Sequence, residues 1–320
     1  MLRYGYNILK KPSPIRLRSY SSHIVDSIKK KSIPDMHEKY SNGIPISMCT
    51  AYDFITANWV HKSNCDMILV GDSLAMTTLG YRSTTDLSFE EFKYHVKSVC
   101  RAEGPSLIIA DMPFGSFEAS HEQGISSALE LMKLSSNVTS VKFEVGSHTR
   151  DKYTIQLIQE LCSRGIPVMA HIGLTPQKSH SLGGFKVQGN KSYLQIQDLL
   201  ETAQILQQAG CWSIVLECVP HKVASYITSN INIPTIGIGA GNSTNGQVLV
   251  LSDLLGMQSQ FVPKFVKQYS NQNEYSIDSI SKYIEDVESR KFPSTEKHTF
   301  KIKEEIWNDF LKNRKQDNKE

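Results

Sequence analysis

Four acidic residues stand at or near the ends of short apolar runs in the 320-residue chain. They are Asp72 in VGDSLAM, Asp111 in LIIADMPF, Glu144 in SVKFEVG and Glu217 in SIVLECVP. Carboxylates are rarely buried unless they are paired or bound to a metal. A single acid in such a place could be a loop residue, but its repetition in successive units indicates a shared site.

Carboxylates that converge in one small cavity repel one another, so an ionised cluster needs a cation. Asp and Glu oxygens favour a hard divalent ion such as Mg2+. Lys142 stands two residues before Glu144, so in a strand the two side chains share a face. A cation and Lys142 together suit an acidic substrate such as a 2-oxo acid, from which Glu217 could remove an α-proton.

Three further segments could contribute to such a site. His171 in MAHIGLTP ends a fifth apolar run, and is either a reacting group or a histidine that orients a loop. The segment GIGAGN (237–242) could hold an anion, but a tight turn explains it almost as well. The segment LGGFKVQGN (182–190) is glycine-rich and polar, which is typical of a mobile lid.

A regular alternation of strand-like and helix-like segments spaces these residues. Short apolar, β-rich runs occur at 46–52, 66–71, 106–110, 140–145, 167–172, 213–219 and 233–238, with a weak eighth at 256–262. Segments 88–103, 120–136 and 194–209 have helical periodicity. This alternation favours a (β/α)8 barrel over a doubly wound sheet, and a barrel collects its site residues at the C-terminal ends of its strands.

Composition and charge narrow the class of protein. The chain has 40% hydrophobic and 21% charged residues, which is ordinary for a globular protein, and no apolar run long enough for a membrane span. Six cysteines without a CxxC pair indicate free thiols in a reducing compartment. The net charge of +3 comes from residues 1–25, and the rest is slightly acidic, which argues against nucleic-acid binding.

The first 25 residues have the composition of a mitochondrial transit segment, because they are rich in Arg, Lys and Ser and contain no acid. We therefore divide the chain into a transit segment at 1–25, a catalytic barrel at 26–293 and a charged tail at 294–320. The mitochondrial matrix is the expected location, with the cytoplasm as the alternative. In the tail, the spacing of Ile302, Ile306 and Phe310 predicts one helical stripe.

Eight short motifs occur together and in order, and through them the chain resembles the ketopantoate hydroxymethyltransferase family. They are TAYD (50–53), LVGDSLAM (69–76), ADMPF (110–114), VKFE (141–144), HIGLTPQ (171–177), GGFKVQG (183–189), LECVP (216–220) and IGIGAGN (236–242). Any one of them is a weak signal, but eight in sequence are specific. The resemblance covers roughly residues 40–297.

The resemblance implies a (β/α)8 barrel of the phosphoenolpyruvate mutase/isocitrate lyase type. It implies transfer of a hydroxymethyl group from 5,10-methylenetetrahydrofolate to 3-methyl-2-oxobutanoate, which gives 2-dehydropantoate for pantothenate synthesis. Mg2+ is the implied metal, and a homo-oligomer, often a decamer, is the implied assembly, without nucleic-acid or membrane partners. The implied roles are metal binding by Asp72, Asp111 and, through water, Glu144; substrate contact by Asp72, Ser73, Asp111 and Lys142; and proton abstraction by Glu217.

Two other functions fit parts of the same pattern. A Mg2+-dependent lyase or mutase acting on an α-oxo acid would use a similar barrel, but many such enzymes carry a catalytic cysteine in a loop, and no such motif stands out here. An inactive barrel kept as a binding protein is the second alternative. The intact set of acids and Lys142 argues against it.

Overall fold

In the computed structural model, which describes residues 29–258 and 262–317, eight parallel strands form a closed barrel. The strands are Ile46–Thr50 (β1), Met67–Val70 (β2), Leu107–Asp111 (β3), Val138–Glu144 (β4), Val168–Gly173 (β5), Ser213–Glu217 (β6), Thr235–Ile238 (β7) and Gly246–Leu249 (β8). Each strand pairs with the next in the chain, and β8 pairs with β1 to close the barrel. The predicted barrel fold is therefore confirmed.

Helices follow most of the strands on the outside of the barrel. The α-helices are Ile33–Ser41 (α1), Phe54–Lys62 (α2), Leu74–Thr77 (α3), Phe89–Cys100 (α4), His121–Lys133 (α5), Lys152–Ser163 (α6), Ser179–Leu182 (α7), Tyr193–Gln208 (α8), His221–Ser229 (α9), Leu251–Leu254 (α10), Gln272–Glu288 (α11) and Glu304–Asp317 (α12). Short 3-10 helices lie at Thr84–Asp86 and Pro176–Lys178. Within residues 29–258 and 262–317, no helix is long and apolar enough to span a membrane.

Ser and Asp side chains define where the long helices begin. Ser88, Ser120, Asp151 and Ser192 cap α4, α5, α6 and α8, and each accepts a hydrogen bond from a backbone N–H in the first turn. Such caps satisfy amides that have no partner inside the helix. They explain why the observed helices begin within a residue of the predicted periodic segments 88–103, 120–136 and 194–209.

The eighth strand lies elsewhere than predicted. The described residues of the predicted run, 256–258 and 262, are turn and irregular chain, whereas β8 is Gly246–Leu249. This strand was missed because it is only four residues long, contains the exposed Gln247, and follows β7 without an intervening helix. Gly246 is needed there, since a Cβ would come within 2.5 Å of the Ile46 carbonyl oxygen.

Two apolar layers fix which strand residues face inward. Val141 and Phe143 of β4 belong to the cluster between sheet and helices, so Lys142 and Glu144 face the barrel interior. The interior cluster contains Ile109, Met169 and Val215 among its members. Since side chains alternate along a strand, the residues two positions later are also directed inward, and these are Asp111, His171 and Glu217.

The C-terminal region differs from the barrel in its burial. Helix α11 has no buried residue, although Ile277, Ile280 and Ile284 place apolar side chains along it. Helix α12 contains Ile306 and Phe310 but begins after Ile302, so the predicted helical stripe is only partly correct. The boundary between 25 and 26 lies outside the described residues, and the division into three segments stays a prediction.

Candidate active site

All of the sequence-predicted site residues lie at the C-terminal ends of the strands. Asp72 and Ser73 directly follow β2, Asp111 ends β3, Lys142 and Glu144 are on β4, His171 is on β5, and Glu217 ends β6. Asp72, Asp111, Lys142, Glu144 and His171 are buried, whereas Ser73 and Glu217 are half-buried. The barrel thus brings together acids that are more than a hundred residues apart in the chain.

Asp72 and Asp111 are joined directly. The backbone N–H of Asp72 donates to Asp111 Oδ2 over 2.9 Å, which fixes the turn after β2 against the end of β3. The turn leaves little room at Gly71, where a Cβ would lie 3.2 Å from Ser73 Oγ and 3.5 Å from Asp111 Oδ2. The sequence VGDS therefore sets one aspartate beside the other.

Lys142 is an ammonium buried among the acids. Its Nζ lies 2.7 Å from Asp111 Oδ1 and 3.2 Å from His171 Nδ1. Burial alone would lower the pKa of Lys142, but the charges of Asp111, Glu144 and Asp72 outweigh it and raise the pKa above the usual value. The side chain is therefore a fixed positive charge in the cluster.

His171 contacts the acid cluster, and whether it reacts or orients its neighbours stays a prediction. Its Nε2 lies 3.2 Å from Glu217 Oε2, and its Nδ1 lies 3.7 Å from Glu144 Oε1. Burial, and then the positive charge of Lys142, lower the pKa of His171 below its usual value. The imidazole therefore stays neutral near pH 7 and separates Lys142 from Glu217.

Sequence reasoning missed Gln177, although it is the last residue of the quoted motif HIGLTPQ. Its Nε2 donates to Asp72 Oδ2 over 2.7 Å and to the Met112 carbonyl oxygen over 3.0 Å. Its backbone N–H donates to Glu144 Oε2 over 2.9 Å. A neutral amide carries no sequence signal for acid–base or metal chemistry, so only the structure reveals its place between two acids.

The protein alone leaves the carboxylates of the cluster poorly compensated. Burial, and then the charge of Asp111, raise the pKa of Asp72 to about 7. Burial, and then the charge of Asp72, raise the pKa of Glu144 well above its usual value. A divalent cation among these groups would favour their ionised forms, because an opposite charge lowers the pKa of a carboxyl group.

The donor set fits a cation that keeps part of its water shell. Asp111 Oδ1 is buried, lies 2.7 Å from Lys142 Nζ, and accepts no hydrogen bond of regular geometry from the described residues. Among the described residues, no three His, Cys, Asp or Glu side chains converge closely enough to hold a metal by themselves. Mg2+ commonly takes one or two carboxylates and completes its shell with water and substrate. Asp72, which is joined to Asp111 through its N–H and to Glu144 through Gln177, belongs to a set of acids that fits such a cation.

The glycine-rich segments have different roles. In GIGAGN, Gly239 and Gly241 have positive φ, and Gln247 Nε2 donates to the Gly241 carbonyl oxygen over 2.8 Å. The segment includes the end of β7 and continues as irregular chain toward β8, so it serves as a connection, and anion binding stays a prediction. In the predicted lid 182–190, the Gln188 N–H donates to the Cys218 carbonyl oxygen over 3.0 Å, which attaches this segment next to Glu217.

A cavity of about 730 Å³ opens beside the acids, between the β4–α6 loop, the predicted lid and α8. Ser147, His148, Asp198 and Glu201 contribute polar groups to its wall. His148 Nδ1 lies 3.1 Å from Asp198 Oδ1, and His148 Nε2 lies 3.3 Å from Glu201 Oε2. The acids of the barrel interior do not line this cavity, so the site has a buried charged centre and a separate, larger space next to it.

Comparison with known proteins agrees with this architecture. A family model described as ketopantoate hydroxymethyltransferase matches residues 30–295. A 3-methyl-2-oxobutanoate hydroxymethyltransferase of Saccharomyces cerevisiae is 61% identical, over 95% of this chain and 98% of the relative. An enzyme of the same name from Emericella nidulans is 41% identical, over 94% of this chain and 86% of the relative. One from Ignicoccus hospitalis is 44% identical, over 83% of this chain and 98% of the relative.

Solved structures of other enzymes share the fold at low sequence identity. A phosphonopyruvate hydrolase in complex with oxalate and Mg2+ has a TM-score of 0.54 at 9% identity, over 89% of this chain and 97% of that one. A 2,3-dimethylmalate lyase, described as a member of the PEP mutase/isocitrate lyase superfamily, has a TM-score of 0.51 at 10% identity. The match covers 81% of this chain and 98% of that one. These likenesses confirm the expected type of barrel, and the family match shows that the chain belongs to the ketopantoate hydroxymethyltransferase family.

Proposed function

We propose that the protein transfers a hydroxymethyl group from 5,10-methylenetetrahydrofolate to 3-methyl-2-oxobutanoate, which yields 2-dehydropantoate for pantothenate synthesis. The family match over most of the chain supports this reaction. The observation that carries the proposal is the buried set of Asp72, Asp111, Lys142 and Glu144 at one end of the barrel, next to the more accessible Glu217. Such a set suits an acidic substrate that must lose a proton.

Asp72 and Asp111 would hold Mg2+ directly, and Glu144 would hold it through water. A bound Mg2+ would act as a Lewis acid toward the ketone of the 2-oxo acid. Lys142, whose ammonium stays charged, would offset the negative charge that develops on the ketone oxygen after the C3 proton leaves. Ser73, which is half-buried beside Asp72, would contact the substrate carboxylate and align the reacting carbon.

Glu217 would act as the base in this scheme. Its side chain is 17% exposed, against 1% for Glu144 and 2% for Asp111, so a substrate can reach it. The C3–H bond breaks and the proton passes to the Glu217 carboxylate. A C–C bond then forms between C3 and the methylene carbon of the folate. Both C–N bonds of that carbon, to N5 and N10, break, and water supplies the hydroxyl oxygen. The two nitrogens take up two protons, one that came from C3 and one from the water.

The folate would occupy the cavity beside the acids. Its volume of about 730 Å³ lies within the range of small-molecule sites. Gly173 lines it and pairs with Glu217 in the register of β5 and β6, so the cavity adjoins the strand end that carries the proposed base. Asp198 and Glu201 offer acceptors for the N–H groups of a pterin ring.

One incubation tests the reaction itself. Purified protein is supplied with 3-methyl-2-oxobutanoate, 5,10-methylenetetrahydrofolate and Mg2+, and products are identified by mass spectrometry. The proposal requires 2-dehydropantoate, and requires that it disappear when the folate is left out. A product formed equally without folate would instead indicate a lyase or mutase.

Localisation and assembly also belong to the proposal. The basic, acid-free segment 1–25 supports import into the mitochondrial matrix, and import of the full chain with no import of a chain lacking 1–25 is the expected result. The apolar residues of α11, none of them buried in a single chain, support a homo-oligomer. A molar mass of one chain, measured by light scattering, would contradict a homo-oligomer.

A further inference from the structure

Gln177 is a buried amide at the centre of the acid cluster, and its side chain forms no bond to solvent-facing groups. It is 4% exposed and lies in the 3-10 helix Pro176–Lys178 that follows β5. The first amides of a helix have no partner within it, so the Gln177 N–H is free to donate to Glu144 Oε2. The backbone N–H of Gln177 therefore already holds Glu144 in place.

The side chain of Gln177 holds a second acid in a defined orientation. Its Nε2 donates to Asp72 Oδ2 and to the Met112 carbonyl oxygen, and both of these atoms are acceptors only. Rotating the amide by half a turn would set its oxygen against two other oxygens, so the observed orientation is the favourable one. Its Oε1 is then buried and has no hydrogen-bond partner in the part of the chain that the structure describes.

We propose that Gln177 is a positioning residue of this active site, whose side chain sets Asp72 at the orientation in which it binds Mg2+, while its backbone N–H holds Glu144. The inference rests on the proposed function, because it assumes that these acids hold the metal. Residues that orient metal ligands commonly change metal affinity by about 10- to 100-fold when they are replaced. Gln177 acts through the two acids and touches no reacting atom.

The test is Mg2+ titration of the metal-free protein by calorimetry, with Gln177→Met as the main variant. Methionine has similar length and no donor, so it keeps the packing and removes both side-chain bonds. We expect the Kd for Mg2+ to rise about 10- to 100-fold. Gln123→Met is the matched control, because Gln123 bonds only to the backbone at Gly115 and Ala119, and we expect its Kd to stay within about twofold.

Circular dichroism of the metal-free variants shows whether they fold. If Gln177→Met does not fold, Gln177→Asn replaces it, because asparagine keeps the amide but is too short to reach Asp72. A folded variant at position 177 that binds Mg2+ within about twofold of the wild type would overturn the role of Gln177. A wild-type protein that binds no Mg2+ would instead overturn the proposed metal site, so the two failures are distinguishable.

Discussion

His171 Nε2 and Glu217 Oε2 lie 3.2 Å apart across the neighbouring strands β5 and β6. The register pairs Gly173 with Glu217, and Gly173 has φ +99°. A Cβ at Gly173 would come within 2.2 Å of the Glu217 carbonyl oxygen, so only glycine fits there. The strand ends are therefore packed closely enough for the imidazole to contact the carboxylate of the proposed base.

Replacing His171 by Asn should misplace Glu217 and slow proton abstraction. Asn lacks the reach of the imidazole Nε2, and small misplacements of a reacting group cost up to about 100-fold in rate. We expect kcat to fall by about 10- to 100-fold, measured by steady-state kinetics at saturating Mg2+. His298→Asn, in the exposed C-terminal region, is the control, and an unchanged kcat for His171→Asn would show that Glu217 needs no such support.

Replacing Asp111 by Asn should weaken Mg2+ binding. The change keeps the side-chain shape but removes the negative charge that lies 2.7 Å from the Lys142 ammonium. We expect the Kd for Mg2+ to rise by at least about tenfold, measured by calorimetry on the metal-free protein. Asp86→Asn, at an exposed position, should leave the titration unchanged. Equal Kd values for Asp111→Asn and wild type would remove Asp111 from the ligand set.

Asp66 lies at the opposite, N-terminal end of the barrel and should govern stability in acid. Burial alone would raise the pKa of Asp66, but hydrogen bonds from Lys39, Ser47 and Lys31 outweigh it and lower the pKa to about 2. A carboxyl group with a lowered pKa stabilises the fold above its unfolded pKa near 4, and this contribution is lost as the pH falls toward 2. Its size at pH 7 is on the order of 2 kcal/mol.

Denaturant unfolding at several pH values checks the role of Asp66. Asp66→Asn should lower the free energy of unfolding at pH 7, and the difference from wild type should shrink as the pH falls from about 5 toward 2. Asp278→Asn, on the exposed face of α11, serves as the control. A difference for Asp66→Asn that does not change with pH would indicate that the loss comes from packing and not from charge.

Filling the cavity beside the acids should affect the folate and not the keto acid. Gln197 lines the cavity on α8, and Gln197→Trp should raise the KM for 5,10-methylenetetrahydrofolate by about tenfold. Exchange of the C3 proton of 3-methyl-2-oxobutanoate without folate should be unchanged. Gln204→Trp, two turns further along α8 and outside the cavity, is the matched control. Equal KM values for both variants would place the folate elsewhere.

The apolar runs and the polar residues at their ends were enough to predict the barrel. They also predicted that Asp111, His171 and Glu217 lie at one end of it. They were enough because inward-facing positions alternate along each strand, so an acid two positions after an interior apolar residue continues the same face. The strand β8 could not be found in this way, since Gly246–Leu249 has no continuous apolar run.

Gln177 and the cavity wall escaped prediction for a different reason. The partners of Gln177 are Asp72 and Glu144, which lie 105 and 33 residues away, and no local pattern encodes such a contact. His148 and Asp198 likewise meet only when the loop before α6 packs against α8. Interactions between distant loops depend on the closed barrel, whereas periodicity reports only on single elements.

Exchange of the C3 proton of 3-methyl-2-oxobutanoate in deuterium oxide, with Mg2+ and without folate, tests the central claim most directly. Glu217→Gln keeps the shape of the side chain and leaves Asp72 and Asp111 intact, but it removes the proposed base. We expect rapid exchange with the wild type, a fall of at least about 100-fold in Glu217→Gln, and unchanged Mg2+ binding by that variant. Undiminished exchange in Glu217→Gln would contradict the account.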